Sequence, residues 1–289
     1  MIILNIRIIL CVILILNRVR GEFMNNKLFF SLYEKAIGNV PIETVFDIIN
    51  LYGDKCIDGI EINSRNMPLL KKCALLCKKN RFLFRCHFPL EEISENDTVK
   101  YLNFINELSK ELRYKINIVF HSKFSQDEIL DDMINETNLY INNILNYVKK
   151  YKLNLYISLE NLNYRNGVKR INISKIDNIL KDNENLYFTY DIGHDLYDNK
   201  ICTKLSSLQI SKLNNVHIHS VEKNEDHHII TKNSQNLDKL KEVLNDLESI
   251  KYSGPIVLEY SLEHINAKSA EEKIIEIVKS FKFFKNELL

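Results

Sequence analysis

Six apolar, β-prone runs in this chain each carry a metal-binding type of side chain at their C-terminal end. FLFRCH ends on His87, INIVFH on His121, LYISLE on Glu160 and LYFTYD on Asp191, while NNVHIH carries His217 and PIVLEY carries Glu259. Imidazole and carboxylate in one shell suit zinc, manganese or cobalt, and a carboxylate-rich shell also suits magnesium. Seven of the eight histidines, His87, His121, His194, His217, His219, His227 and His228, lie on or just after these runs. A buried Glu or His taken alone is more often a hydrogen-bonded structural group, but scattered histidines would not recur in this way. The joint placement points to a buried multi-ligand metal site.

Glu160, Asp191, His217 and Glu259 come from four successive runs and supply a mixed shell that leaves positions for water or substrate oxygens. His194 follows Asp191 by three residues in YDIGHDLYD, so the turn leaving that strand can aim a second ligand into the same cleft. Asp226 and His228 in EDHH are spaced to face one ion, and with His194 they would form an additional metal position. His219 shares the face of its strand with His217 and is expected to support the ligands or touch substrate. His227 and His264 read as plain loop histidines.

The elements that must position these residues follow from periodicity. From Lys27 onward, short β-branched or aromatic runs alternate with amphipathic stretches, the pattern of βα units on a parallel sheet. Strands are expected near 27–32, 58–63, 82–87, 116–121, 153–160, 186–191, 215–220 and 255–261. Helical faces fill the gaps, including 97–113 (Val99, Leu102, Phe104, Ile105, Leu108, Leu112) and 128–150 (Ile129, Met133, Ile141, Ile144, Leu145, Val148). Eight such units predict an α/β fold, a single (β/α)8 TIM barrel, which gathers all C-terminal strand ends on one rim. The stretches 161–172, 192–203 and 221–236 read as the longest loops, and each follows a ligand-bearing strand.

Composition narrows the function. Lys+Arg of 39 against Asp+Glu of 38 leaves a net charge of +1, so no global field draws the chain to nucleic acid or an anionic membrane. The six cysteines show no paired framework and read as reduced thiols of a cytoplasmic protein. Residues 1–23 carry the apolar run IILCVILIL after Arg7, yet it is short for a spanning helix and no small-residue cleavage site follows. Back-translation of Arg20 to Met24 can spell a ribosome-binding site and a start codon. We therefore expect 1–23 to be a non-native upstream extension or signal-like segment, 24–289 to be the barrel, and no membrane association of the latter.

The succession HFP, VFHS, LEN, DIGH, VHIHS, D-x-H and VLE resembles the xylose isomerase-like TIM-barrel superfamily, in the branch of sugar phosphate isomerases/epimerases and endonuclease IV-type AP endonucleases. The resemblance covers nearly all of 27–285. In the nuclease it implies three zinc ions: His87, His121 and Glu160 on one; a bridging Glu160 with Asp191, His217 and Glu259 on the next; His194, Asp226 and His228 on the third. In the isomerases it implies one divalent ion on Glu160, Asp191, His217 and Glu259, with Glu160 and Glu259 as acid/base groups. Two departures stand out. His227 holds the middle position of D-x-H, with no glycine-rich turn after it, and Ser220 replaces an expected Asp.

The first expectation is thus a metal-dependent sugar or sugar phosphate isomerase/epimerase, with Glu160 and Glu259 catalytic and His219 at the substrate. The alternative is an AP endonuclease with clustered zinc ions and DNA as partner, which needs basic and wedge residues on the rim. Arg65 and the pair Tyr164 and Arg165 are the conspicuous candidates. A barrel that binds metal or sugar without turnover is a third reading, and loss of ligands would point to it.

Overall fold

The computed structural model describes residues 26–33, 40–53, 55–88, 94–123, 129–163, 170–199 and 203–289. The segment 1–23, Tyr164, Arg165, Cys11 and Cys202 lie outside them. The apolar runs form β1 (Leu28–Tyr33), β2 (Gly59–Asn63), β3 (Leu83–His87), β4 (Ile116–His121), β5 (Leu155–Glu160), β6 (Tyr187–Asp191) and β7 (Leu213–Ile218). A hairpin of β8 (Ser220–Glu222) and β9 (Glu225–His228) then precedes the last barrel strand, β10 (Ile256–Leu258). The barrel closes in the order β1-β10-β7-β6-β5-β4-β3-β2, and every pairing in it is parallel. The expected (β/α)8 TIM barrel is the observed fold.

The helices are α1 (Ile42–Tyr52), α2 (Met67–Asn80), α3 (Glu95–Leu112), α4 (Leu130–Lys150), α5 (Asp177–Leu180), α6 (Ile192–Asn199), α7 (Ser207–Lys212), α8 (Leu237–Ser249) and α9 (Ala270–Glu287). Caps set where several of them begin. Asn66, Ser94 and Ser269 accept backbone N–H groups at the starts of α2, α3 and α9, and Ser206 with Gln209 forms a capping box on α7. Each long helix lays one apolar face on the sheet, as α4 does with Met133, Ile134, Ile141 and Ile144. Ile129, expected on that face, is 66% exposed because it caps the helix from outside its first turn. From α9, Phe281 stacks on Phe30 of β1 with ring centroids 5.6 Å apart. Truncating a phenylalanine buried in this way costs about 3–5 kcal/mol. None of the described helices is long and apolar enough to cross a membrane.

Two stretches expected as irregular loops are ordered elements. Part of 192–203 is α6, which leaves β6 without an intervening loop, and 221–236 contains the β8–β9 hairpin. That hairpin turns at Lys223 and Asn224, both with positive φ (51° and 66°). Two positive φ values in a two-residue turn match the twist of the flanking strands, a job usually given to Asn-Gly. The absence of glycine hid the turn from sequence reading.

Parallel pairing puts the C-terminal end of every barrel strand on one rim. Register does the finer work, setting His121 opposite Glu160 and Asp191 opposite His217. Val257 pairs with His217, so Glu259 leaves β10 just beyond it.

Candidate metal centre

At this rim, His217 Nδ1 lies 2.8 Å from Glu259 Oε2, 3.4 Å from Glu160 Oε1 and 3.9 Å from Asp191 Oδ2. All four atoms are buried, and none has a hydrogen-bond partner among the described residues. Burying polar atoms without partners costs roughly 1–3 kcal/mol each, so four at one point call for a ligand. Nitrogen and oxygen ligands about 2.0–2.2 Å from a divalent ion lie about 3.0–3.5 Å from one another. Ligand atoms of His87, Glu160, His217 and Glu259 all lie within 4.8 Å of one another, as do those of Glu160, Asp191 and His194, and the chemistry of both sets fits a divalent cation.

Glu160 faces two ways. While Oε1 joins the quartet, Oε2 lies 3.0 Å from His87 Nε2 and 3.1 Å from His121 Nε2. His194 Nδ1 stands 3.5 Å from Glu160 Oε1 and 3.6 Å from Asp191 Oδ2, so it borders the same point. The Glu160, Asp191 and His217 side chains are at most 1% exposed, whereas Glu259 is 17% exposed.

Charge favours a cation as well. Burial opposes ionising Glu160, but the His217 and His121 rings outweigh it and hold the carboxyl well below its usual range. Glu259 is likewise lowered, chiefly by His217 acting against burial. Burial also works against charging His217, yet Glu61, Glu160 and Glu259 together raise it well above its ordinary value. Without an ion, a proton on that imidazole supplies the positive charge the carboxylates require.

The xylose isomerase-like TIM barrel family model matches residues 83–284, more than half of the chain. The chain belongs to the xylose isomerase-like TIM barrel family. Among solved structures it is similar to a D-tagatose 3-epimerase-like protein (21% identity, 89% of this chain and 98% of that one, TM-score 0.63). It is also similar to 3-keto-D-glucoside 4-epimerase from E. coli (14% identity, 89% and 99%, TM-score 0.64). D-allulose 3-epimerase from Methylomonas sp., in complex with D-allulose, is a third (14% identity, 92% and 99%, TM-score 0.62). No curated protein matches.

Within this family barrel, several supporting residues carry no sequence signal of their own. The Asn161 side chain accepts from Asp191 N–H at 2.8 Å and donates to the Asp191 carbonyl at 2.9 Å, tying β5 to β6 beneath the centre. His194 N–H donates to Asp191 Oδ1 at 2.6 Å, which leaves Oδ2 for a ligand. His219, expected at the substrate, is fully buried. Its Nδ1 accepts from His227 N–H at 2.9 Å, so Nε2 carries the proton and faces Asp191 Oδ1 at 3.3 Å. The ring thus packs beside Asp191 without a hydrogen bond to it.

The His219 ring lies against the backbone of Gly193, where an added Cβ would come within 2.0–2.3 Å of ring atoms. Gly193→Ala should displace His219, loosen Asp191 and weaken Co²⁺ binding by about 10-fold, the scale seen when groups supporting metal ligands are lost. Unchanged binding in a cobalt titration would remove His219 from the support of the site.

The β8–β9 hairpin departs from the sequence reading. Asp226, His228 and His194 form no shared group of ligand atoms among the described residues. His227 has φ of 61°, a left-handed backbone that breaks the strand's alternation and turns its ring inward. It stacks on His219 (centroids 4.2 Å apart) and meets His194 (5.5 Å), so it is not a plain loop histidine. His228 instead stacks on His264 at 4.0 Å, and both face Glu225 Oε2 at 3.5 Å. Asp226 accepts from the Asn163 side-chain amide at 2.8 Å and pairs with His227 Nδ1 at 3.1 Å.

That last pair makes a pH prediction. Burial opposes charging His227, but its bond to Asp226 raises it to about 9. Asp226 is lowered, burial again being outweighed by His227. The raised histidine stabilises fully below its unfolded value of about 6.5 and loses that contribution as pH rises through about 9. The lowered carboxyl stabilises above about pH 4 and loses its contribution as pH falls further. In metal-free protein, the melting difference between wild type and His227→Ala should shrink between about pH 6.5 and 9. A constant gap would contradict the pair.

Proposed function

We propose that the chain is a metal-dependent sugar or sugar phosphate isomerase or epimerase. The observation that carries this reading is the gathering of buried Glu160, Asp191 and Glu259 oxygens around His217 Nδ1, all four atoms without a hydrogen-bond partner among the described residues, at the rim of a family barrel. Similarity to barrels named as sugar 3- and 4-epimerases supports it. The four residues would hold one divalent ion, with His194 beside them. The ion, when bound, would polarise a substrate carbonyl and acidify the neighbouring C–H.

The chain's own groups would do the proton work. Glu160 and Glu259 approach His217 from different strands and are both held ionised, the form a base requires. One would take the proton from the carbon beside the carbonyl, and the other, first protonated from water, would deliver a proton in its place. Delivery to the opposite face inverts the centre; delivery to the adjacent carbon isomerises the sugar. Glu259, on the exposed side, is the group a sugar meets first. The four cysteines among the described residues are all buried, in keeping with a cytoplasmic enzyme.

One observation favours the endonuclease IV-type alternative: His87 and His121 meet on the second oxygen of Glu160, a geometry open to a bridged second ion. The purified full chain should interconvert ketohexoses or their phosphates, lose that activity to chelator, and leave an abasic-site duplex intact. Metal-dependent nicking with no sugar turnover would reverse the assignment.

A further inference from the structure

Beneath the centre the barrel interior is polar, where such lumens are usually filled by Val, Ile and Leu. Arg85, Ser158, Thr189 and Asn215 stand two residues before His87, Glu160, Asp191 and His217, so strand alternation turns them to the same interior face one layer down. Half of this layer satisfies itself. Ser158 Oγ accepts from the Asn117 amide at 2.9 Å and from the Thr189 hydroxyl at 3.0 Å. The other half, where Glu61 of β2 meets Arg85 and Asn215, does not. Arg85 Nε and Nη2, Glu61 Oε1 and Asn215 Oδ1 are all buried with no hydrogen-bond partner among the described residues.

We propose that this part of the lumen is a binding site for ordered water, held between the Arg85 guanidinium, Glu61 and Asn215 as a fixed part of the floor below the centre. The inference goes beyond the proposed activity and holds with or without an ion above it.

The groups present select the ligand. Arg85 offers two donors, and Glu61 and Asn215 offer an acceptor each. Water accepts and donates in the same proportion, and buried waters typically make about three such bonds. An ion does not fit both sides: an anion drawn to Arg85 is repelled by Glu61, and a cation drawn to Glu61 is repelled by Arg85. Spacing agrees with this choice. Arg85 Nε stands 3.6 Å from Glu61 Oε2, too far for a direct hydrogen bond and a separation that water bridges.

The competing account is a plain core ion pair, since Glu61 and Arg85 are register neighbours on β2 and β3. A direct pair would close the guanidinium on the carboxylate through parallel bonds, and neither Nε nor Nη2 makes one. Asn215 reaches the same place from the far wall. Its Nδ2 lies 3.3 Å from Glu61 Oε2, although β1 and β10 separate β2 from β7 in the barrel. Glu61 and Asn215 are fully buried, so water among them is enclosed rather than surface solvent. Asn215 Nδ2 also lies 2.9 Å from His217 Nε2, which sets this water one side chain below the centre.

A high-resolution crystal structure of the full chain tests the proposal. It should show at least one enclosed water within about 2.7–3.2 Å of Arg85 Nε or Nη2 and of Glu61 or Asn215. In solution, protein labelled with ¹⁵N-arginine should give a cross-peak between Arg85 Nε–H and water. Glu61→Leu, which replaces an acceptor with apolar atoms, should lose both signals. Glu61→Gln keeps an acceptor and should retain them, so the test stands if Leu fails to fold. Guanidinium nitrogens bonded directly to Glu61 with no enclosed water would overturn the inference. So would density that anomalous scattering identifies as an ion, or a wild type with no cross-peak to water.

Discussion

Glu160→Gln and Glu259→Gln should each lower kcat by about 10²–10⁴-fold with KM changed little, because each removes a proton-transfer group while keeping the side chain's shape. Glu160 should suffer more. It is almost completely buried, sits between His217 on one oxygen and His87 with His121 on the other, and would serve as both ligand and acid/base. Its loss therefore also weakens the ion, so the assay belongs at saturating metal. Glu259 is partly exposed and touches one imidazole closely, at 2.8 Å, so its replacement should act on turnover more than on metal uptake. Either variant retaining more than about a tenth of wild-type kcat would exclude its carboxylate from the proton transfer.

Adding the ion should raise the melting temperature by on the order of 10 °C. At a free metal concentration about 1,000 times Kd, binding only to the folded state contributes about 4 kcal/mol, and each kcal/mol moves Tm by roughly 2–4 °C at this size. The sign follows from the charges at the centre. In metal-free protein, Glu160, Asp191 and Glu259 crowd around one imidazole, so they repel one another and are only partly compensated. Asp191→Asn keeps an acceptor for His194 N–H but removes one of those charges. The metal-free variant should melt at or above metal-free wild type, yet gain little from added metal. If Asp191→Asn gains as much from metal as wild type, Asp191 is not a ligand.

Much of this was legible in the chain, for a definite physical reason. The alternation of β and amphipathic runs fixed the barrel, and a barrel aligns all strand ends. Ligand types recurring at those ends, from His87 to Glu259, therefore had to meet at one rim. What stayed hidden depends on contacts across the lumen or on backbone states that residue type does not reveal. Glu61 lies mid-strand in GIEIN, and nothing in that run says that its carboxylate crosses to β7. His227 and His228 are adjacent and chemically equivalent in sequence. A positive φ at His227 decides which ring turns inward, and a non-glycine residue gives no warning of it. Gly193 reads as a helix-weakening residue until the His219 ring is seen against its backbone.

The central claim is that Glu160, Asp191, His217 and Glu259 hold one divalent ion on which activity depends. Metal analysis of the purified full chain, alongside Asp191→Asn and His217→Ala, tests it most directly. Wild type should carry about one tightly held ion per chain and either variant near none, with sugar turnover lost in step. Wild type that holds no ion and turns over sugar in chelator would contradict it.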